Sequence, residues 1–211
     1  MKKDLFKGML PKAEKRYPRN FIAMTLYQSL MQIGWVFKTE SVVISRFVTS
    51  LTSHPLLISA LPILSRLPQS FAQFWFLDAV DRAPRKTPLL IGATAVFTAA
   101  WGLIAAALLF GVNLSDGGLL ALFFLLYAVS WTGFGVERVV NRVMTAKLIP
   151  VQRRGRVFAI GNSVGRFSSL ASAGLIASLM SRADSFRADF SLLFGCAFLF
   201  FLLSLTGQIF F

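Results

Sequence analysis

The chain has 211 residues, of which 55% are hydrophobic and only 15% are charged. This balance excludes most water-soluble classes, because a soluble domain carries about 25% charged residues. Lys and Arg number 22 against 9 Asp and Glu, but the basic residues cluster at the N-terminus and in short gaps between apolar runs. That distribution excludes the continuous basic surface needed for nucleic-acid binding, and the composition indicates an integral membrane protein.

Six apolar stretches are long enough to form membrane-spanning helices, since about 20 residues cross the roughly 30 Å of hydrocarbon in a bilayer. The sequence therefore predicts an all-α integral membrane protein. A basic cytoplasmic segment over residues 1–20 precedes a six-helix transmembrane bundle over residues 21–211. The first stretch is too long to be a cleaved signal peptide. The predicted spans cover about residues 21–51, 55–77, 88–112, 119–146, 157–180 and 190–211.

The connections between the spans alternate in charge. The N-terminal segment and the connections after the second and fourth spans carry nearly all of the basic residues, whereas the opposite connections carry only Arg182 and Arg187. Cytoplasmic loops are enriched in Lys and Arg. Both termini are therefore predicted to be cytoplasmic.

Polar side chains recur at helical spacing in spans one, two, four and five. This predicts that these four helices surround a polar interior and that spans three and six face lipid. Arg66 and Arg166 lie near the middle of their spans, where a charge costs about 2.5 kcal/mol or more unless it is hydrated or paired. They form either an anion-attracting site in a water-filled cavity or two structural arginines satisfied by carbonyls and amides. The residues predicted to contact a solute are Gln28, Gln32, Arg66, Gln69, Asn162 and Arg166.

Charges near the ends of the spans favour a structural interpretation. Lys38 and Glu40 come late in span one, and snorkelling or local ion pairing would accommodate them. Gly161 and Gly165 form a small-residue pair in span five, which lets another helix approach closely. That helix belongs either to this chain or to another subunit.

The connection after span two carries a recognisable motif. Residues 78–86 read DAVDRAPRK, which resembles the cytoplasmic signature between the second and third helices of the major facilitator superfamily. Leu77 and Pro84 stand where that signature has glycines. Residues 150–156 resemble the segment that leads into the fifth helix of the same family. Four residues match the charged core of the signature: Asp81, Arg82, Arg85 and Lys86.

The resemblance covers the whole chain, but only as the N-terminal six-helix half of a fold that usually has twelve helices. It implies two three-helix repeats and a secondary transporter of a bacterial inner (plasma) membrane. It also implies that the motif residues Asp81, Arg82, Arg85 and Lys86 form a cytoplasmic gate. Asp81 and Arg85 would pair with the inner end of span four. The groups available there are Glu137 and Arg142.

One bundle offers only half of a transport cavity, because alternating access moves one repeat or bundle against another around a midplane site. Uncovered polar stripes cost several kcal/mol per unsatisfied group in lipid. A second six-helix bundle is therefore expected. It would be a second copy, a separately encoded half, or a C-terminal half beyond Phe211. A larger membrane complex is the other alternative.

Two functions follow from these features. The first is a half-size, major-facilitator-like secondary transporter that moves a small solute, anionic if Arg66 and Arg166 attract it. The second is a non-transporting accessory or assembly subunit of a larger membrane complex. An enzyme is not expected, because His54 and Cys196 are the only residues of their types and no metal-ligand cluster or phosphate loop is present. No cofactor, metal or nucleic acid is expected, and the expected partners are the lipid bilayer, the second bundle or complex, and the solute.

Overall fold

A computed structural model describes the backbone of residues 2–111, 114–180 and 186–210, and side chains from residue 17 onward within those ranges. The described residues form α-helices and one π-helix and contain no strand, so the all-α prediction is confirmed for them. The π-helix covers Glu40–Ile44. The α-helices are α1 Lys2–Val36, α2 Ser45–Leu51, α3 Pro55–Ser59, α4 Leu61–Trp75, α5 Leu77–Arg82, α6 Thr87–Leu109, α7 Asp116–Leu148, α8 Val151–Met180 and α9 Phe186–Ile209.

Three helices among the described residues, α6, α7 and α9, are long and apolar enough to cross a membrane. This finding is consistent with the predicted integral membrane protein. The sequence predicts six spans, and the remaining three correspond to helices that differ from these in length or polarity. α1 and α8 are long but rich in polar residues, and α4 has only 15 residues. These helices are less apolar because they carry the polar stripes predicted for spans one, two and five.

Two predicted spans are interrupted helices. In span one, α1 ends at Val36, Thr39 has an extended ψ of 126°, and the π-helix begins at Glu40. In span two, α4 starts at Leu61 with Pro62 in its first turn, where proline is tolerated because its missing N–H has no helical partner. α1 also begins at Lys2, so the basic N-terminal segment and the start of span one form one continuous helix.

The helices pack in pairs around an aromatic core. α6 lies against α7 and α9, α1 lies against α8 and α9, and α4 packs mainly on α7. Phe47, whose side chain is fully buried, contacts rings from α7 and α9. Aromatic burial of this kind holds the centre of the bundle together.

Glycines permit the closest helix contacts. A Cβ added at Gly161 would lie 2.4 Å from Gln28 Cγ, and one added at Gly165 would lie 2.8 Å from Gln32 Cβ. The small-residue pair in α8 therefore packs on α1 of the same chain, which is one of the two alternatives left open by the sequence.

Candidate functional site

A cavity of about 680 Å³ lies between α1, α4, α7 and α8. Its lining comes from these four helices and from Glu40 of the π-helix, and α6 and α9 contribute none of it. The arrangement agrees with the polar interior predicted from spans one, two, four and five. The polar residues recur every three or four positions because that spacing keeps them on the face that borders the cavity.

Five of the six residues predicted to contact a solute line this cavity. Gln32 Nε2 donates a hydrogen bond of 2.8 Å to Asn162 Oδ1, which joins α1 to α8 across the wall. The five residues are Gln28, Gln32, Arg66, Gln69 and Asn162.

Arg166 lines a second cavity of about 350 Å³, one helical turn from Asn162. Gln32, Trp35 and Asn162 line both cavities, so the two adjoin. The structure therefore brings the predicted residues together, and the ligand they would bind stays a prediction.

Glu137 is the most deeply buried acidic group of the larger cavity, with 2% of its side chain exposed. The Tyr27 hydroxyl donates a hydrogen bond to Glu137 Oε1, which joins α1 to α7. Asn141 and Arg142, one turn further along α7, also line the cavity. Glu137 and Arg142, which were predicted as gate residues, thus border the same space as the predicted solute-contact residues.

The motif residues after span two have different contacts from those implied by the resemblance. Arg82 Nη2 lies 3.9 Å from Asp78 Oδ2, and both side chains are more than four-fifths exposed, so this pair adds little stability. Among the described residues, Asp81 and Arg85 form no ion pair with Glu137 or Arg142. The expected cross-helix pairing is thus absent from the described residues, and Glu137 instead accepts a hydrogen bond from Tyr27.

Lys86, another motif residue, is buried and stabilises a helix end. Its Nζ donates to the backbone carbonyl oxygen of Val80 and, at 3.2 Å, to that of Ala83. The last carbonyls of a helix lack partners within the helix, and a lysine near the C-terminus can satisfy them. Lys86 therefore caps the C-terminal end of α5 with its side chain.

The sequence did not nominate two further charged residues of the cavity, Glu40 and Arg138. Glu40 Oε2 accepts a hydrogen bond of 2.8 Å from the Tyr127 hydroxyl. Arg138 stacks over the Phe134 ring with its Cζ 5.0 Å from the centroid. Glu40 lies two helical turns after Gln32 within the predicted span one, and a charged residue at that place in a span is the signal that would have nominated it.

The charges of the larger cavity favour an anionic ligand. Arg66, Arg138 and Arg142 line it against two carboxylates, Glu40 and Glu137. Each carboxylate accepts a tyrosine hydroxyl, whereas the three guanidinium groups are on exposed residues. Guanidinium groups bind carboxylate and phosphate oxygens in a bidentate geometry.

Two further features of the described residues concern metal ligands and the cysteine. No group of three or more His, Cys, Asp or Glu side chains there could hold a metal ion. Cys196 is a free thiol on α9, which does not line the larger cavity.

No protein-family profile, curated protein sequence or solved structure matches this chain. The resemblance to the major facilitator superfamily is therefore carried by the residues of the two motifs, and membership stays a hypothesis.

Proposed function

We propose that this chain is one six-helix half of a major-facilitator-like secondary transporter, and that its larger cavity binds a small anionic solute. The observation that carries the proposal is the lining of that cavity. The lining contains polar residues from four predicted spans. It includes three arginines and two glutamates, and each glutamate carboxylate already accepts a hydrogen bond from a tyrosine hydroxyl. Such a cavity attracts an anion and offers it charge-assisted hydrogen bonds.

The proposal requires six membrane crossings. α6, α7 and α9 have the length and apolarity of spans. α1 with α2, α3 with α4 and α5, and α8 supply the other three, and their polar residues border the cavity. Both termini then lie in the cytoplasm, and the charge pattern suits a bacterial inner membrane.

Labelling of single cysteines tests this topology. In a Cys196→Ser background, Ser53→Cys should react with a membrane-impermeant maleimide added outside intact cells. Pro84→Cys should react only after the membrane is opened, because it lies in a basic connection that is retained inside. Both positions are exposed, so access depends on the side of the membrane. Labelling of both cysteines from the same side would contradict an odd number of crossings between them.

A second bundle is part of the proposal because the polar face is open on one side. Arg66, Arg142, Arg166 and Asn162 line the two cavities and yet are exposed. In a bilayer these groups need water or a protein cover. The cover would be a second copy of this chain, a separate half or the remainder of a longer protein.

The alternative function is an accessory or assembly subunit of a larger membrane complex. Such a subunit would bind its partners through the large apolar side chains that are exposed on the helices that flank the cavity. Phe74 and Trp75 on α4, and Phe167 and Leu170 on α8, are each about three-quarters exposed. Stoichiometric co-purification with a larger complex would support this function, whereas a self-dimer that takes up solute in liposomes would support transport.

Neutralising the arginines tests the anion site. Arg66→Gln and Arg166→Gln should each weaken binding of a small anion by about 10- to 100-fold, since a hydrogen bond to a charged group contributes about 1.5–3 kcal/mol. The measurement is binding of phosphate, sulfate and small carboxylates to the purified protein. Arg46→Gln is the matched control, because Arg46 is exposed on α2 and lines neither cavity.

The two arginine variants should keep the unfolding temperature of the unaltered protein, since both side chains are exposed. If both variants fold and bind every anion of the panel as tightly as the Arg46→Gln control, the anion-site proposal is wrong.

A further inference from the structure

Lys38 carries a buried amino group without a hydrogen-bond acceptor. Its side chain is 1% exposed, and Nζ has no hydrogen-bond partner. The nearest carboxylate in sequence, Glu40, accepts a hydrogen bond from Tyr127 and forms no ion pair with Lys38. Burying an ammonium group without compensation is costly, so another interaction must replace water around this one.

Aromatic rings from four helices surround Lys38 Nζ. α1, α6, α7 and α9 each supply at least one of them, and we call these five rings the Lys38 cage. A cation within about 6 Å of a ring centroid is attracted to the face of the ring. The distances from Nζ to the centroids are 3.6 Å for Trp35, 4.5 Å for Trp101, 4.9 Å for Phe97, 4.9 Å for Trp131 and 5.9 Å for Phe201.

The indole of Trp101 contributes its ring rather than its N–H group to the cage. Trp101 Nε1 is buried and has no hydrogen-bond acceptor. A buried indole N–H usually finds one. Trp101 therefore forgoes a hydrogen bond in a position where its ring centroid lies 4.5 Å from Lys38 Nζ.

The cage also borders the larger cavity. Trp35 and Trp131 belong to the cage and to the lining of the cavity. Lys38 itself lies on the connector between the end of α1 at Val36 and the π-helix that begins at Glu40. Interruptions of this kind in membrane helices occur where the backbone lines a cavity or a binding site.

We propose that the Lys38 cage is a binding site for a primary alkylammonium group, which Lys38 fills as an internal ligand. Aromatic cages hold quaternary ammonium ligands in other proteins, and the same attraction between a cation and ring faces acts on a primary ammonium group. In the unaltered protein Lys38 occupies this site, so the cage becomes open to a free cation only when the lysine side chain is removed. The inference does not depend on transport, because it concerns the affinity of five rings for one charged group.

Removal of the lysine side chain should leave a site that a free cation can fill. Lys38→Ala removes three methylenes and the ammonium group, which together have the size and shape of propylammonium. We expect propylammonium chloride to raise the unfolding temperature of purified Lys38→Ala protein by several degrees and to change its tryptophan emission. Both effects should saturate at millimolar concentrations. At matched ionic strength, 1-propanol should produce neither effect, because it has nearly the same shape and no charge.

Two controls limit the interpretation. The unaltered protein should not respond to propylammonium, because Lys38 fills the cage. Lys147→Ala should not respond either, because Lys147 is an exposed lysine. Recovery of folded Lys38→Ala protein only when propylammonium is present would also support the proposal. An absent response of the folded variant, or an equal response to 1-propanol, would overturn it.

A second variant decides the question if Lys38→Ala does not fold under any condition. Lys38→Met keeps the length and apolar volume of the side chain and removes the charge. We expect it to unfold at a lower temperature than the unaltered protein and to show altered tryptophan emission, because three indoles lose the nearby cation. If its emission and unfolding temperature equal those of the unaltered protein, the rings do not hold a cation and the proposal is wrong.

Discussion

Replacing Gly135 with alanine should force α4 away from α7 and strongly destabilise the protein. A Cβ at this position would lie 2.5 Å from the backbone carbonyl oxygen of Gln69 and 3.0 Å from Ala72 Cβ. Backbone atoms of a packed helix cannot rotate aside as a flexible side chain can, so the whole of α4 must shift. Overpacking of this kind costs about 1–3 kcal/mol. Thermal unfolding of the protein purified in detergent measures the effect.

The displacement should also reach the cavity. Gln69 lines the cavity from α4 and Glu137 lines it from α7, two residues after Gly135. We therefore expect Gly135→Ala to weaken anion binding in addition to lowering stability. A binding loss without any change in unfolding temperature would contradict the packing argument.

Gly195→Ala is the matched control for this substitution. Gly195 lies within α9 and is half-buried, and a Cβ added there meets no atom within 4 Å. Alanine in a helix interior is favoured over glycine by roughly 0.5–1 kcal/mol. The control should therefore be neutral or stabilising. Equal unfolding temperatures for the two variants would mean that the contact between α4 and α7 is looser than the structure indicates.

Tyr27→Phe should have the second large effect, because it removes the hydroxyl that donates to Glu137. The phenylalanine keeps the ring volume and leaves the carboxylate, which is 2% exposed, without this donor. A buried acceptor that loses its partner costs about 1–3 kcal/mol, and more if it is charged. Differential scanning calorimetry of the purified protein measures this loss of stability.

A double-mutant cycle separates the hydrogen bond from the packing of the ring. Glu137→Leu removes the carboxylate, so adding Tyr27→Phe to it should cost much less than Tyr27→Phe alone. Tyr17→Phe is the control, because Tyr17 accepts only a long hydrogen bond of 3.3 Å from Arg153 in exposed surroundings. It should change stability by less than about 0.5 kcal/mol. Additive effects in the cycle would refute a coupling between Tyr27 and Glu137.

The sequence predicted the helices and the polar cavity because both depend on local spacing. Gln28, Gln32, Gln69 and Asn162 recur at helical intervals, and this periodicity places them on one face of each helix whatever the details of packing. Arg66 could be predicted as a cavity residue because it follows the same helical spacing. Patterns confined to one helix are thus readable without a structure.

Features that need several helices at once were not predictable. Lys38 was interpreted as a residue near the membrane surface, but rings from α6, α7 and α9 reach it and bury it. No spacing within α1 indicates those partners. The pairing of Glu137 with Tyr27 joins residues that are 110 positions apart, so no pattern within either helix indicates it.

The four helices around the cavity differ in how many neighbours support them. α1 and α7 are each braced by α6 or α9 behind them, whereas α4 packs mainly on α7 and α8 mainly on α1. A tilt of α4 or α8 would therefore break contacts with one main neighbour, whereas a tilt of α1 or α7 would also break contacts with the aromatic core. A change in the width of the cavity opening would cost least at α4 and α8.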